Sequence, residues 1–122
     1  FVLDFNINFV DVRDVALAHI NALSMGENHR RYITHTSDMW MNEIGKILIS
    51  KKGGRWPHKK LPKFLAYVFA IFHPKLTIKI LKENLGVKVS YDVEGAWEIL
   101  QIKTHNPEQT IVDAVESIKE NL

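Results

Sequence analysis

Cysteine is missing from the 122-residue chain. Its absence removes disulfide scaffolds, thiolate zinc sites and cysteine nucleophiles together, and fits a reducing, cytoplasmic compartment. Long apolar runs are missing too. The longest, Phe64 to Phe72, covers nine residues, far short of the roughly 20 that a spanning helix needs, and no export signal with a cleavage site is present. An excess of charge of one sign is also lacking: 16 basic side chains stand against 14 acidic ones, a formal +2. That balance makes no whole-molecule case for nucleic acid. No internal repeat or low-complexity segment divides the chain, so residues 1–122 are expected to form one domain. The chain opens at Phe1 within an apolar stretch and without an initiator methionine, as a cut chain would.

Patterning predicts mostly helix. Phe9, Val10 and Val12 form an extended run, after which Asp11 and Asp14 can cap a helix carrying Val15, Ala18 and Ala22 up to Gly26. Residues 31–34 read as a second strand. Thr36, Ser37 and Asp38 then offer caps for a helix with Met41, Ile44 and Leu48 that ends at Gly53-Gly54, behind Lys51 and Lys52 in the dipole-favoured last turn. Pro62 and Pro74 mark first helical positions, Gly86 closes the second of those helices, residues 87–89 read as extended, and Asp92 can cap a helix with Ala96 and Leu100. Asn106-Pro107-Glu108-Gln109 is the clearest helix start, and Ile111, Val115, Ile118 and Leu122 follow at spacings of four, three and four, which predicts one buried face. Strand and helix alternate first and helices follow. This predicts an α/β chain, mostly helical, with a parallel sheet too small to carry its own core.

Three further groups of residues bear on chemistry. The six histidines, at 19, 29, 35, 58, 73 and 105, show no metal-ligand spacing, so no metal is expected. Lys51, Lys52, Arg55, Lys59, Lys60 and Lys63 surround Trp56 and His58 with no acidic residue between them. A solvated loop explains this first, attraction of an anionic substrate or cofactor phosphate second, and nucleic acid last. The run 64–72 is apolar all round, which predicts burial with one face lining a pocket. A peripheral membrane role is not expected, because the segment lacks a polar face.

Phe9-Val10-Asp11-Val12-Arg13-Asp14-Val15-Ala16, followed by Ala18-His19, resembles the late segment of the extended short-chain dehydrogenase/reductase superfamily. The branch it is most similar to holds NAD(P)-dependent epimerase/dehydratases and dihydroflavonol-4-reductase-like enzymes. Arg31-Tyr32-Ile33 resembles the family's final sheet strand, Leu61-Pro62-Lys63 the start of its C-terminal helical lobe, Leu76-Thr77 an element of that lobe, and Thr110 to Leu122 its last helix. Tyr91-Asp92 with Ala96 and Leu100 is similar to a further family helix, although Gly95 replaces the usual lysine and Gln101 the usual glycine. Ile7 stands where nucleotide-sugar members carry a phosphate-contacting arginine, which favours a less charged carbonyl or hydroxyl compound as substrate.

The family's machinery is absent from these residues. Its dinucleotide site needs clustered glycines at a strand-to-helix turn, and Gly26, Gly45, Gly53, Gly54, Gly86 and Gly95 do not supply that spacing. Its catalytic pair is a tyrosine with a lysine four residues on, and Tyr32, Tyr67 and Tyr91 have Thr36, Ile71 and Gly95 there. The resemblance therefore implies the C-terminal substrate lobe and last strand of a Rossmann-type enzyme. No catalytic or cofactor-binding residue is expected in this chain, which would be inactive alone. NAD or NADP is implied for the parent enzyme, and a missing N-terminal nucleotide-binding domain is the implied partner. Trp56, Phe64 and Tyr67 are the expected substrate contacts, since large rings beside a basic loop suit a pocket wall. Open strand edges predict a homo-oligomer. The competing reading is a standalone helical interaction module using the loop 51–63 and the helix 63–72.

Overall fold

Asp11 sets where the first helix begins. Its carboxylate accepts the Arg13 main-chain N–H at 2.9 Å, so β1 (Asn6–Phe9) gives way to α1 (Val12–Met25). In the computed structural model, which describes residues 1–122, half of the chain is helical and the sheet has two strands. The remaining elements are β2 (Ser37–Trp40), α2 (Met41–Lys52), α3 (Lys63–Phe72), α4 (Ile78–Asn84), α5 (Ala96–Ile99) and α6 (Pro107–Glu120).

β2 lies further along the chain than the sequence predicts. Residues 31–36 have no regular structure, and Ser37 and Asp38, which read as helix caps, belong to the strand instead. The neighbouring main chain decides this, because Met41 N–H donates to the Phe5 carbonyl at 3.0 Å and Thr36 N–H to the Phe9 carbonyl at 3.3 Å. Residue numbers run in opposite senses across those bonds. The strands are therefore antiparallel, not parallel as the alternation of elements predicts.

Other boundaries move for local reasons. Pro74 lies in a turn and does not open a helix; α4 starts four residues later, where the Thr77 hydroxyl accepts the Ile80 N–H at 3.3 Å. Asp92 caps no helix, since its carboxylate accepts the Glu94 N–H, and α5 is a single turn behind Gly95 at φ 70°. Residues 87–89 pair with no strand. Gly53 and the Asn106 cap stand where the sequence puts them: Gly53 closes α2, and the Asn106 side chain accepts the N–H groups of Glu108 and Gln109. The α6 stripe that the sequence predicts as buried is not: Ile111 and Val115 are half-buried, Ile118 is 62% exposed, Leu122 is open, and the buried residue of the helix is Val112, outside the stripe. Gly45 in α2 sits against the following loop, where an added Cβ would lie 2.0 Å from the Pro57 carbonyl oxygen.

The residues group into two compact units. Unit 1 holds residues 1–7 and 38–89, and its core is Ala66 and Ala70 of α3 against Leu81 and Leu85, with Leu3, Phe5 and Tyr67 packed around them. The N-terminal segment is tied in by Val2, which bonds to the main chain of Lys59 and Leu61 at 2.9 and 2.8 Å. Unit 2 holds residues 8–37 and 90–122, with Ala18, Leu100 and Ile102 buried beside Ala22, Tyr32 and Trp97.

Candidate functional site

Unit 2 contains a connected network of ion pairs and hydrogen bonds at the junction of β1 and α1. Asp11, 4% exposed, accepts the Arg13 main-chain N–H and its Nε–H at 2.9 Å each, an Nη2–H at 2.6 Å and the Thr110 hydroxyl at 2.9 Å. The same Arg13 Nη2 donates to Asp113 of α6 at 2.9 Å, and Gln109 donates to the other Asp113 oxygen at 2.7 Å. A groove of about 520 Å³ opens here, walled by Val10, Val12, Arg13, Thr110, Asp113 and Ser117 among others. The Arg13 hydrogen bonds hold the Asp11 carboxyl well below its usual range, against the opposing effect of burial. Asp113 is lowered by its Gln109 hydrogen bond first and by Arg13 second, and Arg13 is raised by Asp11 and then Asp113. Both carboxylates are thereby fixed in the ionised state near neutral pH. The cluster has no proton to give or take there, so it is suited to holding α1 and α6 together and to walling a groove, and not to acid–base catalysis.

Two smaller recesses lie in the same unit. One, of about 200 Å³, has Asn8, Phe9, Ile33, Thr34, His35 and Tyr91 in its wall. His35 Nε2 meets the Asn8 side-chain oxygen at 3.1 Å, its ring lies 5.4 Å from that of Tyr91, and its carbonyl accepts the Trp97 indole N–H at 2.9 Å. The other, of about 170 Å³, is walled by Ala18, His19, Ala22, Tyr32, Thr34 and Leu100. Both are smaller than the usual volume of a drug-sized ligand site. Sequence reasoning missed these residues, because what gathers His35, Asn8 and Tyr91 is contact across 27 to 83 positions of chain, with no local motif.

The three expected substrate contacts lie in unit 1. Trp56 is half-buried and donates its indole N–H to the Gly53 carbonyl at 3.0 Å. Tyr67 is half-buried against the Ala66–Leu81 core, and Phe64, one turn before it on α3, is 69% exposed. None of the three lines the groove or either recess described above. The basic loop beside them is partly neutralised: Lys60 pairs with Asp4 at 2.7 Å and lies 5.1 Å from the Trp40 ring centroid.

The fold is half helical with a small two-stranded sheet, and no group of three or more His, Cys, Asp or Glu is placed to hold a metal. That arrangement recurs within larger solved proteins. A crystal structure of gox2253 is similar over 98% of this chain and 39% of its own, with a TM-score of 0.72 and 20% identity. Gre2 from Candida albicans is similar over 98% of this chain and 32% of its own (TM-score 0.66, 24% identity), and Gre2 in complex with NADPH gives a TM-score of 0.62 over 31% of that chain. The chain thus spans about a third of the length of these structures. No family model matches it, and no curated protein is significantly similar.

Proposed function

We propose that the chain is the C-terminal, substrate-side portion of an NADP-dependent reductase of the extended short-chain dehydrogenase/reductase type, dihydroflavonol-4-reductase-like, acting on a small carbonyl or hydroxyl compound. The observation that carries this reading is the fold shared with Gre2, solved in complex with NADPH, over about a third of that chain. The ordered resemblance from Phe9 to the closing helix supports it independently. On this reading the glycine-rich nucleotide site and the tyrosine–lysine pair belong to an N-terminal nucleotide-binding domain, and the chain alone neither binds the cofactor nor turns over substrate.

Substrate contact is assigned to Trp56, Phe64 and Tyr67, with the facing wall supplied by the partner domain. In the complete enzyme, Tyr67→Ala and Phe64→Ala raise KM or change substrate preference. Unchanged kinetics across a panel of small carbonyl compounds would reduce both rings to packing. Self-association belongs to the same reading, because a two-stranded sheet offers unpaired main-chain groups on its outer edges.

Calorimetric titration of the chain with NADPH and NADH tests the central claim. Absence of heat at micromolar concentration is expected for both, and a micromolar dissociation constant for either would overturn it. An in-frame upstream segment carrying a glycine-rich turn and a Tyr-x-x-x-Lys pair distinguishes this reading from a standalone interaction module.

A further inference from the structure

Charge is divided sharply between the two units. Unit 1 carries 11 Lys and Arg against 4 Asp and Glu, a formal +7, while unit 2 carries 5 against 10, a formal −5. Within unit 1, the 39 residues between Glu43 and Glu83 contain ten Lys and Arg and no acidic side chain. α3 lies in the middle of that stretch. Its back, Ala66 and Ala70, packs into the unit's own core, and its front presents Val68, Phe69, Ile71 and Phe72 to solvent, with Phe72 81% exposed. Exposed Lys59 and Lys63 precede these rings in the chain, and Lys75 follows them, as does Lys79, which lies 3.9 Å from the Glu83 carboxylate.

We propose that this face of α3 docks unit 1 on an anionic phospholipid surface, with Phe69, Ile71 and Phe72 in the boundary between headgroups and acyl chains and the flanking lysines among the headgroups. The sequence alone argues against membrane contact because the segment has no polar face. That requirement applies to an isolated helix. Here the fold covers one side of the helix with the protein's own core, which leaves an apolar front within the most cationic stretch of the chain, the combination that anionic interfaces select. At ten residues, α3 is about 15 Å long, and no helix of the chain is long and apolar enough to cross a bilayer, so the contact lies in the interface plane. A second copy fits the face less well, because a symmetric contact would bring two strongly cationic surfaces together. Phe64, 69% exposed, shares this front with Val68, Ile71 and Phe72, so the inference stands independently of the cofactor reading but competes with the assignment of Phe64 to substrate contact.

Co-sedimentation of the 122-residue chain with vesicles tests it, using phosphatidylcholine alone and phosphatidylcholine with about a third phosphatidylserine. Partition at least about tenfold stronger onto the anionic vesicles is expected, falling at about 0.5 M salt as screening shortens the reach of the lysines. Phe69→Asp with Phe72→Asp should lower that partition more than about tenfold. The charge reversal Lys59→Glu with Lys75→Glu, which leaves every apolar contact in place, should do the same, since each lysine at an anionic surface contributes about fivefold. Equal partition onto both vesicle types, absence of partition, or indifference to the charge reversal overturns the proposal. So does a dimer that Phe69→Asp with Phe72→Asp dissociates while wild-type chain ignores vesicles, which would give the face to a second copy.

Discussion

Asp14 and His105 stand 91 positions apart, yet the fully buried Asp14 carboxylate takes both the His105 main-chain N–H, at 2.9 Å, and its ring Nδ1, at 2.5 Å. Opposite a carboxylate that ring nitrogen carries the proton. One side chain on α1 therefore fixes the position and the orientation of the segment leading into α6.

Asp14→Ala should lower the unfolding free energy by about 3 kcal/mol, because it strands a main-chain donor as well as removing a charged acceptor. His105→Ala should cost about 1 kcal/mol, since the main-chain bond survives it. Urea denaturation separates the two, and equal losses would show that the main-chain bond contributes nothing.

Acid sensitivity follows from the Asp11–Arg13–Asp113 cluster. Asp11 and Asp113 are both lowered in the folded state, so their contribution is fully present above the unfolded carboxylate value near 4 and disappears as pH falls through the lower folded values. Arg13 is raised, which stabilises at every pH below the ordinary arginine range and stays constant through this titration. Arg13→Met should therefore move the midpoint of acid unfolding upward by about half a pH unit or more, followed by circular dichroism. Superimposable acid profiles would remove the cluster from any role in stability.

Gly45→Ala should destabilise unit 1 by about 3 kcal/mol, because the new methyl group would meet the Pro57 carbonyl and only a backbone shift can relieve it. Thermal unfolding reads the effect. A melting temperature within a degree of wild type would mean that α2 and the loop separate easily.

Asn106→Ala should cost about 1 kcal/mol by leaving the Glu108 and Gln109 N–H groups without their acceptor, and Asn106→Asp should restore most of it. Equilibrium denaturation of the pair of variants provides the measurement.

Self-association is checked by light scattering at micromolar concentration, where a mass of two or more chains is expected. A monomer of 14.1 kDa that melts cooperatively would mean that the sheet edges are closed within the chain.

What the sequence made legible was local. Asn106 followed by proline marks a helix start because the cap bonds span two or three residues, and Gly53 marks a stop because its φ of 67° suits glycine. β2 was hidden for the opposite reason: Ser37 and Asp38 favour caps, and only pairing with a segment 30 positions upstream makes them a strand. The groove was equally hidden, since Arg13 and Asp113 are 100 positions apart. In α3 the apolar residues were evident but not their faces, because alanine and phenylalanine alternate with no polar residue to mark the outside.

The attachment of α6 is graded along its length. Asn106, Thr110 and Asp113 at its start are held by capping, by Asp11 and by Arg13, whereas Ile118 and Leu122 at its end lie open to water. Amide hydrogen exchange along this helix should therefore be slow in the first two turns and quicken steadily toward residue 120. The His105 amide should exchange as slowly as those first turns although it belongs to no helix or strand, since its hydrogen points at a carboxylate that water does not reach. The last helix would then fray from its free end while its root stays fastened by charge.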